Sequence, residues 1–154
     1  MDNEKYDYYM GLAIEEAKKA YEINEVPIGC VIVYNGEVIG KGYNSRISGK
    51  NPLLHAEIKA INEASAAVGD WRLEGCTLFV TIEPCPMCAG AILQGRMERV
   101  VFGAENPKAG CCGSILNLMD DDRFNHKVDV VKGVRKDECA GLMKDFFKHR
   151  REAK

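Results

Sequence analysis

Several things are scarce in this sequence, and each scarcity narrows what the chain does. No apolar run is long enough to span a bilayer, and the opening Met1-Asp2-Asn3-Glu4-Lys5 is polar and acidic and leads into no hydrophobic signal segment. The expectation is therefore a cytoplasmic protein with no membrane partner. Charge of one sign is also lacking: 21 basic residues stand against 23 acidic ones, and the formal net charge is −2. That balance announces no nucleic-acid partner, and on composition alone a small-molecule substrate is favoured. Internal repeats, low-complexity tracts and linkers are absent. Cysteine, by contrast, is not scarce. Seven cysteines, an odd number in a chain without export signals, point to free thiols and a metal rather than to disulfides. With 154 residues, 46% of them apolar and 29% charged, the chain is long enough for a proper core and reads as one domain over 1–154.

Hydrophobic periodicity organises the chain. Residues 4–22 carry Tyr6, Tyr9, Met10, Ala13, Ile14, Ala17 and Tyr21 at helical spacing, which predicts an amphipathic helix whose tyrosines pack rather than stack on bases. Pro27 ends it. Strands over 28–34 and 37–43 flank Asn35-Gly36, a two-residue hairpin turn. A polar loop over 44–54 leads to a helix over 55–68, closed by Gly69. Cys76 to Ile82 is nearly continuous in apolar and β-prone residues, as a strand buried on both faces would be. A helix near 85–95 and a strand over 99–103 complete a parallel crossover. A Pro/Gly-rich loop follows, then a short helix over 114–119, a strand over 127–131 and a last helix opened near Asp137. The expected fold is α/β, a mixed sheet of about five strands between helices. Cys30, Cys76 and Cys139 read as core, and Cys111-Cys112 as small packing residues.

The chemistry gathers in two short stretches. Glu83-Pro84-Cys85-Pro86-Met87-Cys88 contains two cysteines three apart, and His55-Ala56-Glu57 lies thirty residues upstream. A catalytic zinc takes three protein ligands and keeps a fourth position for water. His55, Cys85 and Cys88 supply three, and no nearby Cys or His has the spacing to close the site. Pro86 suits the first position of a helix, which makes Cys85 its cap and places both thiolates in a first turn, where unpaired N–H groups favour negative charge. His55 and Glu57, two apart, would point roughly 200° from each other in a regular helix. Both can face one metal only if His55 sits at a helix start with its own backbone not yet helical. Glu57 is then no ligand but a proton carrier between water and substrate. A lone glutamate there would be a solvated surface residue, and a lone Cys-x-x-Cys a thioredoxin-like redox pair or half of a closed structural zinc site. The redox reading leaves His55 and Glu57 unexplained, and the structural one lacks a fourth ligand.

The pairing of H-x-E with P-C-x-x-C is the known signature of the zinc nucleobase deaminases, a tRNA-type adenosine deaminase among them. From His55 to Gly113 the chain resembles the bacterial tRNA-specific adenosine deaminases. The resemblance rests on His55-Ala56-Glu57-Ile58, on Thr81-Ile82-Glu83-Pro84-Cys85-Pro86-Met87-Cys88-Ala89-Gly90-Ala91, and on Arg99-Val100-Val101-Phe102-Gly103-Ala104. Lys108 with Gly110, Asn125-His126, and Asp145-Phe146-Phe147 with Arg150 extend it. It implies a cytidine-deaminase-like αβα three-layer sandwich, one Zn2+ per subunit, and a homodimer whose partner helps build the site. It further implies a hydrolase that converts adenosine to inosine at the wobble position of a tRNA anticodon, typically in an arginine tRNA. Zinc would be held by His55, Cys85 and Cys88, with Glu57 catalytic. Asn44, Ala56 and Pro84 would contact the substrate base, and Asn106, Lys108, Phe146, Phe147 and Arg150 the RNA. One departure stands out: Asn106 replaces an Asp common in the family, which removes a charge near the expected nucleic-acid path.

Two other readings compete. A free-base or nucleoside deaminase acting on guanine, cytosine or cytidine would use the same chemistry and suits the acidic balance. A zinc-stabilised binding module without turnover would leave Glu57 idle. Asn44 alone reads equally as a turn residue, and the basic run of Lys144, Lys148, Arg150, Arg151 and Lys154 as a solvated helix end.

Overall fold

The computed structural model describes residues 2–152. It contains a helix α1 (Asn3–Glu22), strands β1 (Gly29–Tyr34) and β2 (Glu37–Tyr43), helix α2 (Ala56–Val68), strand β3 (Thr77–Ile82), helix α3 (Pro86–Gln94), strand β4 (Arg99–Ala104), strand β5 (Asp129–Lys132) and helix α4 (Lys136–Glu152). The sheet runs β2-β1-β3-β4-β5. β1 is antiparallel to β2 and to β3, whereas β3, β4 and β5 are mutually parallel. β3 is the central strand, and all six of its residues are buried.

Alternation along the strands builds two cores. On one face Cys30, Ile32, Leu78, Val80, Val100 and Phe102 meet the small residues of α2 and the apolar side of α3. On the other, Val31, Val33, Phe79 and Val101 meet Tyr9, Met10, Ala13 and Ile14 of α1 and Cys139 of α4. The result is the three-layer αβα arrangement expected. The spacing of Ala56, Ala60 and Ala64 puts one methyl per turn against β2. There Gly40 and Gly42 have no side chain because the α2 backbone, at Ala56 and Ala60, occupies the space a Cβ would take. Tyr6 and Tyr9 pack on Phe79, and the Tyr9 hydroxyl donates to the Gly36 carbonyl at 2.9 Å. The α1 tyrosines are thus packing residues, Tyr8 excepted, which is exposed.

The hairpin forms at Asn35-Gly36, both residues with positive φ. A bulge between Ile32 and Val33 shifts its register, which the alternation did not reveal. α2 ends on Gly69 in the left-handed region, φ 76°. Two elements differ from expectation. The helix over 114–119 does not form. Only Leu118–Asp120 closes a 3₁₀ turn, capped by the Asn117 side chain, which accepts from the Met119 N–H. The preceding residues instead fold around the Glu83 carboxylate, which takes the Cys112 and Ser114 N–H groups before a helix can use them. The last strand begins at Asp129 rather than 127, because Val128 N–H still bonds to Met119 and Lys127 is paired with Asp120 and Asp122. All seven cysteines are free. Cys30, Cys76, Cys111, Cys112 and Cys139 are buried, as their patterns suggested. Among the described residues no helix is long and apolar enough to cross a membrane.

Candidate active site

The site lies at the carboxyl end of the central strand, where open α/β sheets commonly place ligands. β3 ends at Ile82, and Glu83-Pro84 leads straight into α3. Cys85 is the N-cap of α3 with extended backbone (φ −75°, ψ 175°), and Pro86 occupies the first helical position. His55 is the N-cap of α2, also extended (φ −80°, ψ 155°). The non-helical backbone of His55 resolves the two-residue geometry: the ring and the Glu57 carboxylate come to the same place from opposite sides of one helix start. Both helices aim their unpaired N–H groups, and so their positive ends, at the same spot.

His55 Nδ1 stands 3.6 Å from Cys85 Sγ and 3.6 Å from Cys88 Sγ. The three ligand atoms lie within 4.8 Å of one another, a group able to hold a metal ion. The two thiols divide one charge between them. The hydrogen bond from Cys88 chiefly, helped by His55, holds the Cys85 thiol down at about 4, while the same hydrogen bond and burial drive Cys88 far above the ordinary thiol range. The hydrogen bond with Cys85 raises His55.

Glu57 is 4% exposed. Burial pushes its carboxyl up to about 7, with the Cys85 thiolate adding to the rise. A carboxyl that changes hands with a proton near neutrality suits general acid–base work in both directions. Ala56 and Cys85 complete the floor of a small cleft open to solvent, with a cavity volume of about 120 Å³.

One wall comes from Val26, Ile28, Asn44 and Arg46. Asn44 Nδ2 donates to Val26 O at 3.2 Å, and the residue also lines the cleft, so its structural bond does not remove it from the cleft wall. The other wall comes from Ile82, Glu83 and Asn106. Asn106 Oδ1 accepts from the Lys108 and Ala109 N–H groups, making a local turn that an Asp could make equally well. Lys108 is exposed beside it. Pro84 does not line the cleft; it is buried, and its carbonyl accepts from the Cys111 N–H.

Two carboxylates escaped the reading of the sequence. Glu83 is 2% exposed. Burial raises its pKa, but hydrogen bonds from the Ser114 hydroxyl and from the Asn106, Ser114 and Cys112 N–H groups outweigh that and leave it below the usual carboxylate value. Gly110 passes so close that any Cβ would meet this carboxylate. Glu25 accepts from the N–H groups of Ile47 and Ser48 in the opposite wall. Glu83 could have been suspected from its position, an acid directly after a strand nearly continuous in apolar and β-prone residues. Nothing in the local pattern marks Glu25.

The terminal helix reaches the same end of the molecule. The Tyr21 hydroxyl donates to Asp145 at 2.5 Å and lies 2.7 Å from His149 Nδ1, which ties α4 to the end of α1 just before Glu25 and Val26. Phe146 turns inward: it is 3% exposed and packs edge-on against Tyr21. Phe147 and Arg150 are the exposed members of that set, with Arg150 over the Phe146 ring at 5.8 Å. Lys154 lies outside the described residues.

Three convergent ligand atoms able to hold a metal ion, a buried carboxylate beside them and an αβα frame are the arrangement a deaminase site requires. Comparison with known proteins narrows the class. The sequence profile of the MafB19-like deaminase family matches residues 3–151. The tRNA-specific adenosine deaminase of Bacillus subtilis (strain 168) is 53% identical over 148 residues, covering 96% of this chain and 92% of the relative. That of Haemophilus influenzae is 43% identical over 146 residues, covering 94% and 84%. A solved structure from a study of A-to-I editing by tRNA:A34 deaminases at the wobble position superposes with a TM-score of 0.84 at 40% identity, covering 88% of this chain and 98% of that one. The guanine deaminase of Bacillus subtilis superposes with a TM-score of 0.62 at 34% identity, covering 68% and 66%. The chain belongs to the MafB19-like deaminases and, within them, to the bacterial tRNA-specific adenosine deaminases.

Proposed function

We propose that this single-domain chain, acting as a cytoplasmic homodimer, hydrolyses adenosine to inosine at the wobble position of a tRNA anticodon, with an arginine tRNA as substrate. The observation that carries the reading is the buried Glu57 carboxyl beside the His55-Cys85-Cys88 cluster, in a chain 53% identical to a tRNA-specific adenosine deaminase. We assign the metal as zinc. Bond lengths of about 2.3 Å to sulfur and 2.0–2.1 Å to nitrogen at a tetrahedral angle require an S···N separation of about 3.6 Å. The cluster has that separation, 3.6 Å from the ring nitrogen to each sulfur. Zinc bound there would act as a Lewis acid and make water a competent nucleophile at neutral pH.

The chain's own groups do the rest. A wobble nucleotide sits in a loop and is extruded at less cost than a paired base. The cleft takes the adenine, with Asn44 on one wall and Ala56 beneath, while Pro84 supports the floor from behind. Glu57 accepts a proton from water as its oxygen bonds to C6 of the base, and passes that proton to N1. Glu57 then carries the proton of the new C6 hydroxyl to the amine, and the C–N bond breaks to release ammonia as the C6 carbonyl of inosine forms. We place Asn106, Lys108, Phe147 and Arg150 along the RNA, with Phe146 holding the last two from beneath. The exposed Trp71 beside an apolar groove between α2 and α3 supports a second copy as partner.

The test is inosine formation in an anticodon stem-loop with adenosine at the wobble position, run beside free adenosine, guanine, cytosine and cytidine. Conversion of the stem-loop alone is the expected result. Conversion of guanine or another free base with an untouched stem-loop would keep the acid–base chemistry and replace the substrate. No turnover on any of them, with metal bound, would favour the binding-module reading.

A further inference from the structure

Glu25 is a carboxylate with an unusual placement. It is 1% exposed, and it touches no substrate-facing surface. Both oxygens are engaged by backbone: the Ile47 N–H reaches Oε1 at 3.2 Å and the Ser48 N–H reaches Oε2 at 2.6 Å. Burial works against its charge, yet those hydrogen bonds and the Ser48 hydroxyl, aided by the nearby Arg46 charge, hold its pKa below the ordinary value. The carboxylate therefore stays charged, and charge-assisted hydrogen bonds of this kind are the strong ones.

The segment so held is the tip of the 44–54 loop. The tip closes on itself through Gly49 N–H to Ser45 O at 2.8 Å and Asn51 N–H to Arg46 O at 3.1 Å, with Lys50 in the left-handed region, φ 52°. Its base is anchored three times: Asn44 N–H donates to Ile28 O at 3.1 Å, Asn44 Nδ2 donates to Val26 O at 3.2 Å, and Lys59 Nζ donates to Ser45 Oγ at 3.1 Å. Apart from the turn's own bonds, Glu25 is what fastens the tip to the body of the protein among the described residues. Arg46 projects from that tip to the mouth of the cleft. Among the described residues its guanidinium has no hydrogen-bond or ion-pair partner. A cation held at the rim by a rigid turn, with its donors free, is equipped for a phosphodiester oxygen.

We propose that Glu25 is a positioning residue that fixes the 46–50 turn so that Arg46 meets the phosphate chain beside the adenosine occupying the cleft. The proposal rests on the tRNA reading above and adds to it how the rim discriminates a nucleotide within a polynucleotide from a free base.

The test uses the full-length, zinc-loaded protein and the wobble-adenosine stem-loop. Steady-state kcat and KM are measured for the wild type, Glu25→Ala, Glu25→Gln, Arg46→Ala and the Glu25→Gln/Arg46→Ala double variant. Each single variant is expected to raise KM about ten-fold while kcat falls no more than about two-fold, the pattern of lost uniform binding. The double variant should exceed the worse single by little, because both act through one interaction. Each should also flatten the dependence of log affinity on log salt by about 0.7, the share of one phosphate on a single strand. If Glu25→Ala does not fold, Glu25→Gln, which keeps the volume and one acceptor, decides. Unchanged KM and salt slope in the Glu25 variants of an active enzyme would overturn the inference alone. So would a fall in kcat and zinc content without a change in KM. A wild type inert on the stem-loop would sink the tRNA reading and this inference with it.

Discussion

Glu57 is set apart by its position rather than by its type. The chain has 23 acidic residues, but this one is carried by a helix start into a buried spot beside two thiols, where its carboxyl titrates at about 7. Replacing it with Ala leaves the three ligands in place, so metal content and fold should persist while turnover falls by about 10²–10⁴. Near-normal inosine formation by Glu57→Ala would remove it from the mechanism. Cys88→Ala takes away one of the three proposed ligands, and among the described residues no fourth donor joins the cluster. Elemental analysis of the purified variant should find the metal gone, and full occupancy would mean that the ligand set is wrong. Glu83 is a different case, since its charge holds structure. Its pKa lies below the ordinary 4.5, so its stabilisation is fully present above that pH and disappears as the pH falls through its lower folded value. Glu83→Gln should therefore cost about 1.5–3 kcal/mol at pH 7, the worth of hydrogen bonds to a charged group. In urea unfolding the gap between variant and wild type should close as the pH drops below 4.5. A gap that stays constant with pH would show that the carboxylate is not charged where it sits.

Helices and strands show why some of this was readable and some not. Cys-Pro is a helix start by stereochemistry: proline lacks the N–H that the first turn cannot use anyway. α3 accordingly begins at Pro86. The Asn-Gly hairpin, the Gly69 stop and the six-residue buried strand β3 follow from equally local rules. The 110–117 segment obeys a non-local one. Its N–H groups turn to a carboxylate 29 and 31 positions earlier in the chain, and no window of nearby residues contains that information. The packing of α2 on β2 is set by absence of side chains. Gly40→Ala would drive a methyl into the Ala60 carbonyl and to 2.9 Å from the Ala64 nitrogen. A loss of about 1–3 kcal/mol is expected from such overpacking, measured as a lower midpoint in denaturant. An unchanged midpoint would mean that α2 can back away from the sheet freely.

For the molecule as a unit, charge distribution matters more than total charge. A net charge of −2 gives no general attraction to a polyanion, yet α4 exposes Lys144, Lys148, Arg150 and Arg151 and is tied through Tyr21 to the end of α1. Binding to the stem-loop should then be salt-sensitive in spite of the acidic balance. Neutralising Arg150 and Lys148 together should weaken it without changing metal content and lower the salt slope by about 0.7 for each phosphate no longer neutralised. Salt-independent affinity would place the RNA elsewhere.

Residue types and short spacings were enough to single out the His55-Cys85-Cys88 cluster with Glu57 beside it, the crossover at the central strand and the alternating helices and strands. Each depends on chemistry within a few positions or on a period of two or 3.6 residues. The sequence could not say that Asn44 both braces a strand end and lines the cleft, that Phe146 faces inward, or that Glu25 and Glu83 each fasten one wall. Those facts depend on which distant backbone N–H groups a buried carboxylate finds, and only the packed chain brings them within hydrogen-bonding distance.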